Sequence, residues 1–371
     1  MGEKSTEPPT VPERSAPAIA ADPAPFVNRA TIEEPALAAD AEAAPTVAVD
    51  PTTGDGDSAY NSDEMSRYTA SLSTSVRAYK FEHGRRYHAY HSEGTDAYLF
   101  PNDDPEQDRL DMFHHILLMG CESKLFLAPI NPEGMRILDI GCGTGIWAIQ
   151  MADEYPSAEQ IIGNDLSPIQ PSWVPPNVRF LVDDVEEPWG DPLPYDFIQC
   201  RYMAGSIKNW PGLVQRIFDH LKPGGWAEFS DYDINLKSQD NTIPKDYKPQ
   251  EMLNFLNVAC VKIGRPLGMG PKLKGMVEET GFTNVGHEII PLPLGIWPKD
   301  QKLKAMGAFM TLQYTEGVDG FTKLPYTQIL GWSSEEVDVF NAKVRAHVKD
   351  RTIHVMHEYH FVWAQKPETP A

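Results

Sequence analysis

The chain reads as an α/β fold, a mostly parallel sheet with crossover helices and helical insertions that roof it. Three observations predict this. From Arg136 onward, short apolar runs bounded by turn residues alternate with helix-length stretches, the pattern of parallel strands joined by crossovers. The first run opens through three alternating glycines, Gly141, Gly143 and Gly145, into a helix. Two longer helical stretches, near 234–270 and 299–349, interrupt the alternation.

Taken in order, residues 1–60 form an acidic, Ala/Pro-rich head whose only aromatic before Tyr60 is Phe26. Over residues 1–66, 13 acids stand against Lys4, Arg14 and Arg29, a charge of −10 out of the chain's −21. Such a segment cannot build a core and is expected to be disordered. Residues 61–126 are expected to supply lid helices. Met65, Tyr68, Leu72 and Val76 recur at weak helical spacing between Ser62 and Lys80. After a turn at Pro101–Pro105, Leu110, Phe113, Ile116, Leu117, Met119 and Leu125 predict an amphipathic helix over Asp108–Phe126. The core is expected over 127–371. Its strands are Arg136–Ile140, Gln160–Gly163, Val178–Val182, Phe197–Cys200, Trp226–Ser230, Asn284–Pro291 and Ile353–Ala364. Its helices are Gly145–Tyr155, Pro211–Leu221 and Lys272–Thr280, the last capped by Gly281.

Composition excludes several functions. With 32 Lys+Arg against 53 Asp+Glu, the surface repels phosphate polymers, so direct nucleic-acid binding is not expected. No apolar run is long enough to span a membrane, and the first residues lack the charged, apolar, small-residue series of a secretory leader, so secretion is not expected. Cys121, Cys142, Cys200 and Cys260 are scattered without a CxxC pair, which fits a reducing compartment, the cytoplasm, and provides no zinc cage.

The most informative stretch is Ile137-Leu138-Asp139-Ile140-Gly141-Cys142-Gly143-Thr144-Gly145-Ile146. Glycines here let a ligand lie against the main chain at a helix start. A dinucleotide loop would carry its third glycine one residue later, and Asp139 would repel a pyrophosphate. An ammonium suits that acid instead, so the loop favours S-adenosyl-L-methionine. Asp165 ends the second strand 26 residues after Asp139, where a carboxylate can accept from both ribose hydroxyls. At the end of the third strand Asp184 is placed for the adenine amino group, with Leu166 and Val185 beside the ring.

These residues lead to a resemblance. From Phe81 to about Trp297 the chain resembles the fungal LaeA-type methyltransferases, a branch of the class I S-adenosylmethionine-dependent enzymes. The likeness rests on His83-Gly84-Arg85-Arg86-Tyr87-His88-Ala89-Tyr90, Tyr98-Leu99-Phe100-Pro101-Asn102-Asp103 and Asp165-Leu166-Ser167-Pro168-Ile169-Gln170-Pro171. Ala204-Gly205-Ser206-Ile207-Lys208-Asn209-Trp210-Pro211, Leu221-Lys222-Pro223-Gly224-Gly225-Trp226 and Gln365-Lys366-Pro367 add to it. His83 stands where the family often has Asn. The resemblance implies a Rossmann-like, seven-stranded sheet with a reversed last strand, a lid from the N-terminal segment, and Asp139, Gly141, Gly143, Asp165 and Asp184 at the cofactor. It also implies a methyl acceptor that is either a small natural product or a protein. Some members regulate secondary metabolism in the nucleus with velvet-type partners, so the nucleus joins the cytoplasm as an expected location.

No residue announces itself as a catalytic base. Tyr87, His88 and Tyr90 are candidates for lid contacts, since aromatics cover apolar surface while placing a polar tip at the rim. Arg201 and Tyr202 follow the fourth strand at the switch point of the sheet, where an acceptor or the cofactor carboxylate would sit. His354, His357 and His360 invite a metal reading. Three-residue spacing cannot bring all three together on a strand or a helix, so no metal site is expected.

Overall fold

A computed structural model describes residues 79–88 and 98–368. The acidic head, nearly all of the expected Ser62–Lys80 helix, and Tyr90 lie outside the described residues. Two short strands, β1 (Lys80–Glu82) and β2 (Arg85–Tyr87), pair as an antiparallel hairpin through the left-handed His83 and Gly84. Helix α1 runs over Asp104–Gly120, starting and ending earlier than its apolar spacing predicts. At its start, Asp103 accepts the Glu106 amide proton and Pro105 sits in the first turn, an N-cap with a proline where no amide is missed. At its end, Glu122 and Ser123 take positive φ, which no helix continues through.

The main sheet then forms from β3 (Arg136–Ile140), β4 (Gln160–Asp165), β5 (Val178–Val182), β6 (Tyr195–Arg201), β7 (Leu221–Tyr232), β8 (Thr283–Leu294) and β9 (Val355–Gln365). Its order is β5-β4-β3-β6-β7-β9-β8. Every residue of β3 is buried, as a central parallel strand covered on both faces requires. β3 pairs in parallel with β4 on one side and β6 on the other, so the chain reverses its direction of travel across the sheet between them. Ligands in such sheets bind outside the carboxyl ends at this point. β9 is antiparallel to both β7 and β8, the single reversed strand. β8 lies at the edge, and therefore tolerates Pro291 and Pro293, whose missing amides break no inner ladder.

Helices α2 (Ile146–Glu154) and α3 (Trp210–His220) cover the sheet. α2 buries Trp147, Ala148, Met151 and Ala152, one helical face, and the Trp147 indole donates to the Leu125 carbonyl at 2.7 Å. α3 is capped by Asn209 accepting from Gly212. α4 (Lys248–Lys262), α5 (Gly270–Thr280), α6 (Gln301–Leu324) and α7 (Ser334–Val348) complete the chain, with a π-helical turn over Pro325–Leu330 after α6. α1, α4, α6 and α7 share one buried cluster with β8 and β9, the helical roof over one end of the sheet. Among the described residues, no helix is long and apolar enough to cross a membrane.

Candidate active site

The loop after β3 is built by glycine geometry. Gly141, Gly143 and Gly145 all have φ between +55° and +79°, which other residues adopt only under strain. A Cβ on Gly141 would strike the Met203 sulfur, and one on Gly145 the Phe180 ring, whereas Gly143 meets nothing nearer than Leu110 Cδ1 at 3.5 Å. Two of the glycines thus admit close packing from behind, and the middle one leaves open space.

Asp165 ends β4 and grips this loop. One oxygen accepts the Gly143 amide and the other the Ser167 amide, each at 2.9 Å. Burial pushes its carboxyl up to about 6 despite these bonds. A carboxylate has lone pairs for more donors than these two, and Asp165 lines a cavity with Gly141, Gly143, Leu166, Asp184 and Val185. Arg201 and Tyr202 stand on another part of the same wall. Asp184 turns one oxygen to the Glu186 amide at 2.9 Å.

Four of the sequence-predicted residues do not reach the wall or cannot be placed there. Tyr87 packs with Leu99, Ile263 and Leu324, because the β1–β2 hairpin docks at the end of α4 and the π-helical turn. His88 meets Tyr98 edge-on at 5.6 Å, and it is Tyr98 that lines the cavity. Tyr90 lies outside the described residues. Asp139 is only 4 % exposed and is not among the residues that line the cavity. Among the described residues its carboxylate has no hydrogen-bond partner; burial pushes it up to about 7, with Arg201 opposing and Asp165 adding to the rise.

Several residues that carry the sequence resemblance act as a clamp. Arg85 makes a paired contact to Asp103 at 2.5 and 2.7 Å, and Arg86 reaches the Asn102 side chain at 3.0 Å. Asn102 donates to Ser167 at 3.1 Å, and Gln170 donates to the Gly143 carbonyl at 2.7 Å. Three segments far apart in sequence are thereby tied to the glycine loop. Sequence spacing gave no sign of this, although the Asp103-x-x-Glu106 pattern of a capped helix start was there to see.

Arg201 is held by His114 on α1, its guanidinium donating to Nδ1 at 2.9 Å. That assignment leaves the ring proton on Nε2, which donates to Gln150 at 2.8 Å. Burial and the neighbouring guanidinium push His114 down to about 3, so the imidazole is neutral. Arg201 thus stands on the cavity wall bonded to a neutral ring, with no carboxylate ion pair among the described residues.

Behind Tyr202 the cavity continues into an apolar chamber. Arg109, Phe113, Tyr202, Tyr232, Leu256 and Phe321 face both spaces. At its far side Tyr314 and His357 meet, Oη to Nε2 at 2.6 Å. The three histidines of the last strand region part company: His354 pairs with Asp240, His357 with Tyr314, and His360 with His287.

Four carboxyls around this end of the sheet, Asp139, Asp165, Glu228 and Asp231, are raised to about 6–7, burial being the first cause in each. A group raised by folding stabilises the fold below its unfolded value, and that contribution disappears as pH rises through the folded value. His114, His357 and His360 are lowered instead and act in the opposite sense below their usual value, so the wild-type curve mixes the two. The difference between chains isolates one group. Asp139→Asn is expected to gain on the wild type by several degrees of melting temperature between pH 5 and pH 8, since only the wild type must bury a charge at the higher pH. Parallel melting curves across that range would refute the assignment.

Comparison with known proteins identifies the domain. A family profile described as a methyltransferase domain matches residues 112–287. The methyltransferase pytC of Aspergillus terreus is 50% identical over 80% of this chain and 91% of its own length. The secondary metabolism regulator LAE1 of Cochliobolus heterostrophus is 36% identical over 77% of this chain and 94% of its own. The protein-methionine methyltransferase laeA of Emericella nidulans is 33% identical over 77% of this chain and 76% of its own.

Proposed function

Since the chain belongs to the LaeA-type family of S-adenosylmethionine-dependent methyltransferases, we propose that its methyl acceptor is a small molecule seated in the chamber behind Tyr202. S-adenosylmethionine is the cofactor; when bound it supplies a methyl group activated by a sulfonium.

The residues present fit that group. Asp165 has acceptor capacity left for the two ribose hydroxyls, and Asp184, Leu166 and Val185 border the space an adenine would take. The open side of Gly143 admits the cofactor chain against the backbone. The Arg201 guanidinium, bonded to a neutral imidazole and without an ion-pair partner among the described residues, suits the carboxylate. Asp139, buried at the end of β3, would favour the ammonium through its negative charge. What the protein then contributes to transfer is position and exclusion of water, which carry most of the catalysis of an in-line displacement.

The observation that carries the small-molecule reading is the shared wall. The cofactor cavity and the chamber have six residues in common, four of them aromatic, and the chamber is lined mostly by side chains of α1, α4 and α6. An apolar recess with few polar groups is the form small-ligand sites take. A protein acceptor would have to thread a side chain through that wall.

Metabolite profiling of a deletion strain tests this. One methylated compound should disappear while its unmethylated precursor accumulates. A broad collapse of many pathways would instead favour regulation through a protein acceptor and a velvet-type partner, and co-purification with such a partner would support that outcome.

A further inference from the structure

We propose that the chamber binds an apolar molecule bearing a phenolic or enolic hydroxyl, and that Tyr314 and His357 together accept the hydroxyl proton. This rests on the small-molecule reading above and adds the acceptor's chemical class and the destination of its proton.

The pair is built to move a proton in one direction. His357 Nδ1 faces the Asp233 backbone carbonyl at 3.3 Å. A carbonyl can only accept, so Nδ1 carries the ring proton and Nε2 presents its lone pair. Tyr314 Oη lies 2.6 Å from that nitrogen and therefore donates to it. Both side chains are buried, Tyr314 at 6 % and His357 at 5 % exposure, and both line the chamber. Burying these two polar groups costs desolvation that a leucine and a phenylalanine would not.

The transfer balances without another reactant. The acceptor's O–H bond breaks and its proton passes to Tyr314 Oη, while the Tyr314 proton passes to His357 Nε2. The acceptor oxygen retains the electron pair, and the new charge rests on an imidazolium. That imidazolium faces the Asp233 carbonyl and feels the Asp233 carboxylate, both of which favour the charged ring. At rest burial lowers His357 to about 4, leaving the imidazole neutral and ready throughout the neutral pH range.

The chemistry of the relay selects the acceptor. Burial holds the Tyr314 hydroxyl well above its usual value, so it hands a proton to His357 while receiving one rather than ionising by itself, and the molecule that gives the proton must be the more acidic partner. Phenols and enols are acidic enough to give it up, whereas aliphatic alcohols are far weaker acids. The chamber's other charge, Arg109, is already paired to Glu106 through two bonds, so the wall does not call for an anionic molecule. Phe113, Tyr232 and Phe321 offer ring faces and edges to a flat ligand.

The test uses 2-naphthol with the full chain saturated in S-adenosylhomocysteine, comparing the wild type with Tyr314→Phe and His357→Gln. All three chains should bind S-adenosylhomocysteine equally, which verifies the fold and the cofactor site independently. The wild type should bind 2-naphthol about tenfold more tightly than either variant, the value of roughly one hydrogen bond. Binding of 2-methoxynaphthalene, which has no proton to give, should differ little among the three. Fluorescence of bound 2-naphthol should come from the deprotonated form in the wild type and from the neutral form in both variants. Equal naphthol affinity across the chains, or neutral-form emission from the wild type, overturns the proton-accepting role. A wild-type chain that binds S-adenosylhomocysteine yet takes up neither naphthalene overturns the acceptor class. Failure to bind S-adenosylhomocysteine at all is a separate result, which would sink the cofactor assignment itself.

Discussion

Loss of S-adenosylhomocysteine affinity by about a hundredfold or more is the expected result of Asp165→Ala. Hydrogen bonds to a charged group contribute about 1.5–3 kcal/mol each, and each 1.4 kcal/mol is about tenfold in affinity. Two ribose hydroxyls therefore account for at least that loss. The same substitution frees the Gly143 and Ser167 amides, now held at 2.9 Å, so the loop loses its anchor as well as its ligand contact. Calorimetry separates the two effects when Gln170→Ala is measured beside it. That variant removes the bond from Gln170 to the Gly143 carbonyl, loosening the loop while keeping the carboxylate. Equal losses in both would mean that Asp165 acts through the loop alone; unchanged binding in Asp165→Ala would remove it from the cofactor site.

The largest stability effect is expected at Arg109. Its guanidinium and the Glu106 carboxylate are each 6 % exposed and meet through two bonds at 2.7 and 2.9 Å. Gln313 on α6 accepts from the guanidinium and donates to the Arg109 carbonyl, both at 2.8 Å, and the cation lies 4.7 Å over the Phe321 ring. Arg109→Leu leaves Glu106 buried without its counter-charge, which costs about 3–5 kcal/mol. The double variant with Glu106→Leu should recover most of that loss, because it removes both charges instead of stranding one. Denaturant unfolding of the wild type, both single variants and the double variant closes the cycle. Additive losses would show that the pair is not coupled.

The central strands and the glycine loop were legible because their signals are local. Ile137, Leu138 and Ile140 form an apolar run, and the alternating glycines admit few backbone paths other than the one found. The three strand-end acids were legible for the same reason, although distance along the chain could not tell that Asp139 would lie off the wall and Asp165 on it. What stayed hidden depends on long-range contact. Arg109 meets Gln313 across 204 residues, and Tyr314 meets His357 across 43. The strand expected over Trp226–Ser230 begins earlier, at Leu221, where a shift in register between Tyr195 and Phe197 of the neighbouring strand absorbs Lys222-Pro223-Gly224-Gly225. His357 was singled out for its spacing to two other histidines, whereas its partner in the fold is a tyrosine on helix α6.

The position of β9 imposes an order on assembly. β7 and β8 are translated first, but neither touches the other: β9 lies between them and supplies both with hydrogen bonds. Until Val355–Gln365 leaves the ribosome, β7 has no neighbour on that side and β8 has none at all within the sheet. An exposed strand edge pairs readily with other chains. The roof helices α6 and α7 are made in this interval, between the two strands that must wait and the one that joins them. The half of the sheet that supports the acceptor chamber therefore becomes whole in a single late insertion. The cofactor half, from β3 to β6, can take shape while synthesis is still under way.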